Sequence, residues 1–132
     1  MRKETLKVIA DTFSSIGINY EFGEWTSEPQ YPYFVGEYQE IASSGENGEQ
    51  ETAFILNGFA RDCEHGKTAL LALEDAKENI KTCLGIIGGR MVTTESGAVV
   101  AIFYENSLLI PIENAELRKI QVNLLVKEWS VN

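Results

Sequence analysis

The chain has 132 residues, of which 44% are apolar, and its formal net charge is −9, from 20 Asp and Glu against 11 Lys and Arg. This length predicts one domain with one hydrophobic core. The acidity argues against nucleic-acid binding, because phosphate contacts require a basic surface. No apolar run is long enough to cross a membrane, and the charged N-terminus does not have the pattern of a signal peptide, so an intracellular origin is expected.

The first predicted helix covers residues 3–16. Its apolar residues are spaced three or four positions apart, as on one side of a helix, and Gly17 follows where a helix commonly ends in a left-handed residue. The apolar stripe consists of Leu6, Ile9, Phe13 and Ile16.

Helical spacing returns in GKTALLALEDAKENIKTCLG, residues 66–85. Glu74 with Lys77, and Glu78 with Lys81, are placed to form ion pairs on the solvent side of this second helix. The stripe expected to face the core consists of Leu70, Leu73, Ala76, Ile80 and Cys83, broadened by Leu71 and Leu84.

Three strands are predicted between the helices. Alternating apolar residues indicate a short strand over 18–22, and YFVGEYQEI (33–41) and ETAFILNGFAR (51–61) are rich in β-branched and aromatic residues. The polar segment between the last two predicts a flexible hairpin loop at about residues 43–50.

After the second helix, residues 88–116 predict two or three strands with turns at Ser96-Gly97 and Glu105-Asn106. The last strand, LRKIQVNLLVKEW, alternates regularly between apolar and polar side chains. The predicted order is helix, three strands, helix, three strands. It indicates an α+β fold with two helices packed on one face of a mainly antiparallel sheet.

Catalytic and metal-binding patterns are weak in this sequence. Cys63 and His65 lie close together but need further ligands to hold a metal, and Cys83 is interpreted as a small buried apolar residue. GIIGGR does not have the GK[ST] ending of a phosphate-binding loop. We therefore expect no enzyme activity, no metal and no cofactor.

Glu46, Asn47 and Glu49 could suggest a calcium loop, but an EF-hand loop lies between helices and this segment lies between predicted strands. The segment is interpreted instead as the tip of a long hairpin. Such a hairpin can serve as an arm that contacts another subunit.

Four stretches, YPYFVGEYQE, ETAFILNGFAR, LEDAKENIK and IQVNLLVKEW, span most of the chain from Tyr31 to Trp129. In this order they resemble the small tail-terminator or tail-completion proteins that join heads to tails in long-tailed bacteriophages and prophages. The resemblance implies a hexameric ring that caps the tail tube and contacts the head connector in the virion, after assembly in the host cytoplasm.

In such a ring, the acidic arm could meet a basic patch on the neighbouring subunit, and aromatic side chains around the proline-bounded loop could anchor the contact. The candidates for that patch are Arg118, Lys119 and Lys127 on the last strand, and Arg90. The competing account for these cations is simple solvation of an outer face. The candidate interface residues are Trp25, Tyr31, Tyr33, Glu46, Asn47, Glu49, Arg90, Arg118, Lys119 and Lys127.

Two other functions stay open from the sequence alone. One is a small α+β module that binds a ligand or peptide between sheet and helices, which could include an enzyme. The other is an acidic inhibitor or nucleic-acid mimic.

Overall fold

The computed structural model describes residues 1–24, 26, 28, 30–41, 49–61, 66–85, 89–112 and 116–129. It confirms the predicted order of helices and strands. The elements are α1 (Lys3–Ser15), β1 (Tyr20–Phe22), β2 (Tyr33–Glu40), β3 (Glu49–Arg61), α2 (Gly66–Leu84), β4 (Arg90–Thr93), β5 (Val99–Ile110) and β6 (Leu117–Trp129).

The strands form one six-stranded sheet in the order β1-β2-β3-β6-β5-β4. The only parallel pair within the described chain is β1 with β2, and the other four neighbouring pairs are antiparallel. The central pair, β3 with β6, is in register over all 13 residues, from Glu49 opposite Trp129 to Arg61 opposite Leu117.

Alternation along the strands gives the sheet two faces. On β6, Ile120, Val122, Leu124 and Val126 are buried and point to the face that carries both helices, which we call the inner face. The β3 residues that pair with them, such as Phe54, are buried on this same face. The inner face and the apolar sides of α1 and α2 form one core, as the alternating pattern predicts.

Helix α1 uses the predicted stripe. Ile9 and Phe13 are fully buried, and Leu6 and Ile16 pack against the core. At its C-terminal end, the amide of Ile18 donates to the carbonyl of Phe13 over 3.0 Å, and Gly17, with φ +74°, donates to Ser14 over 3.1 Å. This is the Schellman arrangement, which favours glycine because it needs a positive φ.

Helix α2 departs from the predicted stripe at three residues. Leu71 is 64% exposed, Leu70 and Cys83 are only half-buried, and Ala69 is buried instead. The core side therefore consists of Ala69, Leu73, Ala76, Ile80 and Leu84. Apolar spacing alone does not fix the rotation of a helix when leucines occupy consecutive positions.

Of the two ion pairs predicted on α2, the structure confirms Glu74 with Lys77. Lys77 Nζ lies 2.5 Å from Glu74 Oε2 and 3.6 Å from Glu78 Oε1. The hydrogen bond to Glu74 raises the pKa of Lys77. Lys81 instead places its Nζ 5.1 Å from the centre of the Tyr104 ring, so its favourable partner is an aromatic face.

Two predicted connections differ in the structure. The turn at Ser96-Gly97 is confirmed, but Glu105-Asn106 is a β-bulge within β5, because Tyr104 and Asn106 pair with successive residues of β6. Strand β3 begins at Glu49, so Glu49 and Gln50, predicted as loop, are strand residues. The rest of that predicted loop, residues 43–48, lies outside the described residues.

Gly58 is required by the packing of the inner face. A Cβ built on Gly58 would lie 2.3 Å from a ring carbon of Phe34, which is fully buried on the adjacent strand. We expect Gly58→Ala to lower the free energy of unfolding by about 1–3 kcal/mol, the usual cost of overpacking. Urea denaturation measures this. Asn57→Ala, on the opposite face of the same strand, is the matched control and should cost clearly less.

Tyr20 gives a second, pH-dependent prediction. Its hydroxyl oxygen is buried, has no hydrogen-bond partner among the described residues, and burial raises its pKa well above 10. The unfolded chain therefore loses this proton first, and the stability falls as the pH rises above about 10, by at most about 1.4 kcal/mol per pH unit.

Tyr20→Phe should flatten this alkaline decline and leave the stability at pH 7 equal or higher, because it removes an unsatisfied hydroxyl. Thermal unfolding between pH 7 and 11 checks both expectations. A decline of unchanged slope in the variant would contradict them.

Candidate interaction surface

The face of the sheet opposite the helices is the surface available for contacts. Both helices pack on the inner face, so no described helix covers the other side, which we call the outer face. Its side chains come from the alternate positions of the same strands, and most of them are half-buried by their neighbours. Among the described residues, the side chains of this face are therefore accessible to a partner protein.

One end of the outer face carries a row of stacked aromatic and cationic side chains. The register places Tyr33 opposite Phe59, and Phe59 opposite Lys119. The rings of Tyr33 and Phe59 stack with their centres 5.2 Å apart, and Lys119 Nζ lies 5.5 Å from the centre of the Phe59 ring. The row is therefore built by cross-strand neighbours.

Tyr31 and Arg61 extend this row beyond the strand ends. The ring of Tyr31 lies 5.4 Å from that of Tyr33, and Arg61 Cζ lies 5.8 Å above the Tyr31 ring. Arg61 Nη1 also donates to Glu116 Oε2 over 2.9 Å. We call Tyr31, Tyr33, Phe59, Arg61 and Lys119 the aromatic row.

Side chains of the aromatic row are held in place by ring contacts and still reach solvent. Tyr31 is 38% exposed, although its ring packs on Tyr33. Burial raises the pKa of Tyr33, with a further contribution from Tyr31 that Arg61 opposes. Rigid aromatic side chains with accessible edges and an adjacent guanidinium are typical anchors of protein interfaces.

Next to the aromatic row, the outer face carries a group of polar side chains. Gln121 Nε2 donates to Asn123 Oδ1 over 2.9 Å, and Asn123 Nδ2 donates to Asn106 Oδ1 over 2.6 Å. Asn57 Nδ2 donates to Glu37 Oε1 over 3.4 Å on the other side. Two of these bonds join neighbouring strands, β6 to β5 and β3 to β2, and the third lies within β6, so the polar side chains here satisfy one another.

The far end of the outer face carries the second lysine of β6. Lys127 Nζ lies 3.5 Å from both Glu49 Oε1 and Glu51 Oε1 and 5.8 Å from the centre of the Phe103 ring. Glu49, predicted as part of an acidic arm, is thus paired within its own chain. The ion pair joins β3 to β6 on the outer face.

The structure brings together only some of the predicted interface residues. Tyr31, Tyr33 and Lys119 meet in the aromatic row, whereas Lys127 lies eight residues along β6, roughly 27 Å away at 3.4 Å per residue. Trp25, Glu46 and Asn47 lie outside the described residues, as do Cys63 and His65.

The other two predicted cations lie on the helix side of the sheet. Arg118 is opposite Ala60 and shares the inner face with Ile120. Arg90 is opposite the buried Ile102 and donates to Cys83 Sγ over 3.7 Å, next to the end of α2. Arg90, Arg118, Lys119 and Lys127 therefore do not form one basic patch.

Sequence reasoning missed Phe59 and Arg61, which complete the aromatic row. Phe59 lies in a predicted strand, but which side chains it contacts depends on the strand register. A search for aromatic residues opposite cations could find them only after the β3–β6 pairing is known.

Within the described part of the chain, no three His, Cys, Asp or Glu side chains are grouped closely enough to hold a metal ion. No described helix is long and apolar enough to cross a membrane.

The stacking of Phe59 predicts a measurable contribution to stability. Phe59→Ala removes contacts with both Tyr33 and Lys119, so we expect the free energy of unfolding to fall by about 1–3 kcal/mol, more than for a typical surface substitution. Urea denaturation measures the loss. Phe59→Tyr keeps the ring and should stay close to the parent, and equal losses in both variants would contradict a role for stacking.

No family model and no curated protein matches this sequence. Among solved structures, the fold is similar to that of a chain in the virion of a native gene transfer agent (GTA) particle. The TM-score is 0.56 at 14% sequence identity, and the match covers 96% of this chain and 90% of that chain. At this identity the likeness establishes a shared fold.

Proposed function

We propose that this protein is a non-enzymatic virion assembly protein of a phage or prophage. In this role it caps the tail tube and joins tail to head as an oligomeric ring. Its partners in this role are copies of itself, the tail-tube protein and the head connector. The observation that carries the proposal is the similarity of fold, over nearly the whole of both chains, to a chain of a virion. The sequence resemblance to tail-terminator proteins points the same way.

The outer face supports this proposal physically. Assembly proteins act through surfaces, and the aromatic row supplies ordered aromatic anchors together with Arg61 and Lys119 at one end of an open sheet face. We propose that the aromatic row contacts the end of the tail tube. Because its rings already stack on one another, little side-chain freedom is lost on binding.

The experiment is deletion of this gene in the phage or prophage that carries it, followed by electron microscopy of the particles. We expect tails of irregular length and heads without tails, and complementation by the parent gene should restore normal particles. Particles of normal tail length with joined heads after deletion would contradict the proposal.

Complementation with variants tests the aromatic row. Tyr31→Ala combined with Lys119→Glu should still fold, because Tyr31 is exposed and Lys119 is only half-buried, but should reduce joined particles by at least about tenfold. Lys7→Glu with Leu71→Ala, two exposed positions on the helices, is the matched control and should complement fully. Full complementation by both pairs would show that the aromatic row is not the contact.

A further inference from the structure

The sheet ends in two short edge strands that leave longer strands partly unpaired. Strand β4 pairs only with Val99–Ile102 of β5, so the remainder of β5, to Ile110, has no described strand on that side. At the opposite edge, β1 pairs with β2 over Tyr20–Phe22 and has no described strand on its other side. Each edge therefore presents backbone groups that can pair with a further strand.

The free part of β5 has few of the features that normally block edge pairing. The bulge at Glu105 interrupts only its beginning, and residues 106–110 contain no proline and no charged side chain. Leu108 is 46% exposed and Leu109 is 49% exposed, on opposite faces of the strand. An exposed apolar edge with regular geometry is a site for another strand.

The direction of the strands fits a contact between these two edges. Strand β2 is antiparallel to β3, β3 to β6, and β6 to β5, so β2 and β5 run in opposite directions, and β1 runs with β2. When a second copy stands beside the first in the same orientation, its β1 meets β5 antiparallel. The inner faces of the two sheets then lie on the same side.

The strand register brings the two free edges to the same level. Following the partners across the sheet, Leu109 lies level with Ile120, Gly58, Phe34 and Tyr20. By the same rule Leu108 is level with Glu21, and Ser107 with Phe22. The β1 of a neighbouring copy would thus face the unpaired part of β5 without sliding along it.

The projecting strands also avoid each other. Strand β4 adds to the β5 edge only along residues 90–93. Arg90, the residue of β4 nearest the unpaired part of β5, is level with Glu40, where β2 ends. Strand β1 projects beyond β2 only at the level of Phe34 to Gly36. The projection of each edge therefore meets a recess in the other, and the two edges have complementary outlines.

Apolar side chains match across this contact. Phe22 is 44% exposed and stacks on Tyr38, with ring centres 5.8 Å apart. Phe22 and Leu109 both point to the inner face, at diagonal positions of the proposed pair. Diagonal neighbours of this size touch across antiparallel strands, so pairing would bury two side chains that are now half exposed.

We propose that β1 of one copy pairs antiparallel with residues 106–110 of the next copy, so that the sheets continue from subunit to subunit. Because the contact joins two different edges, it is head-to-tail and closes into a ring when the rotation between copies allows it. This inference rests on the proposed oligomeric function and names its contact.

An engineered disulfide tests the register directly. Glu21→Cys and Leu108→Cys would be directly opposite across the contact, where Cβ atoms of paired strands lie about 5 Å apart, within reach of a disulfide. The background carries Cys63→Ser and Cys83→Ser. On oxidation, the double variant should give a ladder of cross-linked multimers on a non-reducing gel.

The single variants distinguish this contact from a symmetric one. Neither E21C nor L108C alone should cross-link, whereas a mixture of the two should stop at dimers. A dimer from L108C alone would overturn the head-to-tail pairing in favour of β5 meeting β5. The double variant E21C with M91C, which places the second cysteine on the exposed Met91 of β4, is the matched control and should give no ladder.

Introducing a charge on the unpaired part of β5 tests the contact independently, through its effect on self-association. Leu109→Lys should keep the thermal stability of the subunit, because Leu109 is half exposed, and weaken self-association at least about tenfold by light scattering. Absence of a ladder, or unchanged association of Leu109→Lys, overturns the edge contact. If the edge contact is overturned but the parent protein still forms a ring on tails, the proposed function stands. If the parent is monomeric at every concentration and on tails, the proposed function falls as well.

Discussion

The antiparallel pairing of β3 with β6 is the interaction on which the rest of the structure depends. It joins two 13-residue strands without a bulge and places their inner side chains opposite one another, Phe54 with Leu124 and Leu56 with Val122. These fully buried residues form the floor against which both helices pack. A shift of one residue in this register would turn every one of these side chains to solvent, so the core itself holds the register.

The same register builds the outer face. Once the inner positions are fixed by burial, the alternate positions must lie on the other side, where Phe59 meets Lys119 and Lys127 meets Glu49 and Glu51. The aromatic row is thus a consequence of the core pairing. The two ends of the outer face differ, with stacked rings at one end and a carboxylate–lysine cluster at the other. This difference would give a bound partner a defined orientation.

The two edges of the sheet are compatible with the proposed role in assembly. The central strands are long and fully paired, whereas β1 and β4 are short and leave parts of β2 and β5 open. Closed domains usually protect such edges with charges, prolines or bulges. A face with ordered aromatic anchors and edges of complementary outline both fit a protein whose contacts lie outside its own chain.

The sequence by itself determined both helices, the approximate extents of β1, β2, β3 and β6, the order of the elements and the inner face of β6, because these follow from local periodicity. It misassigned the turn at Glu105-Asn106 and the rotation of α2 at Leu71, since a bulge is defined by the partner strand and a helix face by what packs on it. It also grouped Arg90, Arg118, Lys119 and Lys127 as one patch. Only the tertiary structure decided that these cations lie on different faces and that Tyr33, Phe59 and Lys119 form one row, because strand pairing joins residues that are distant in the sequence.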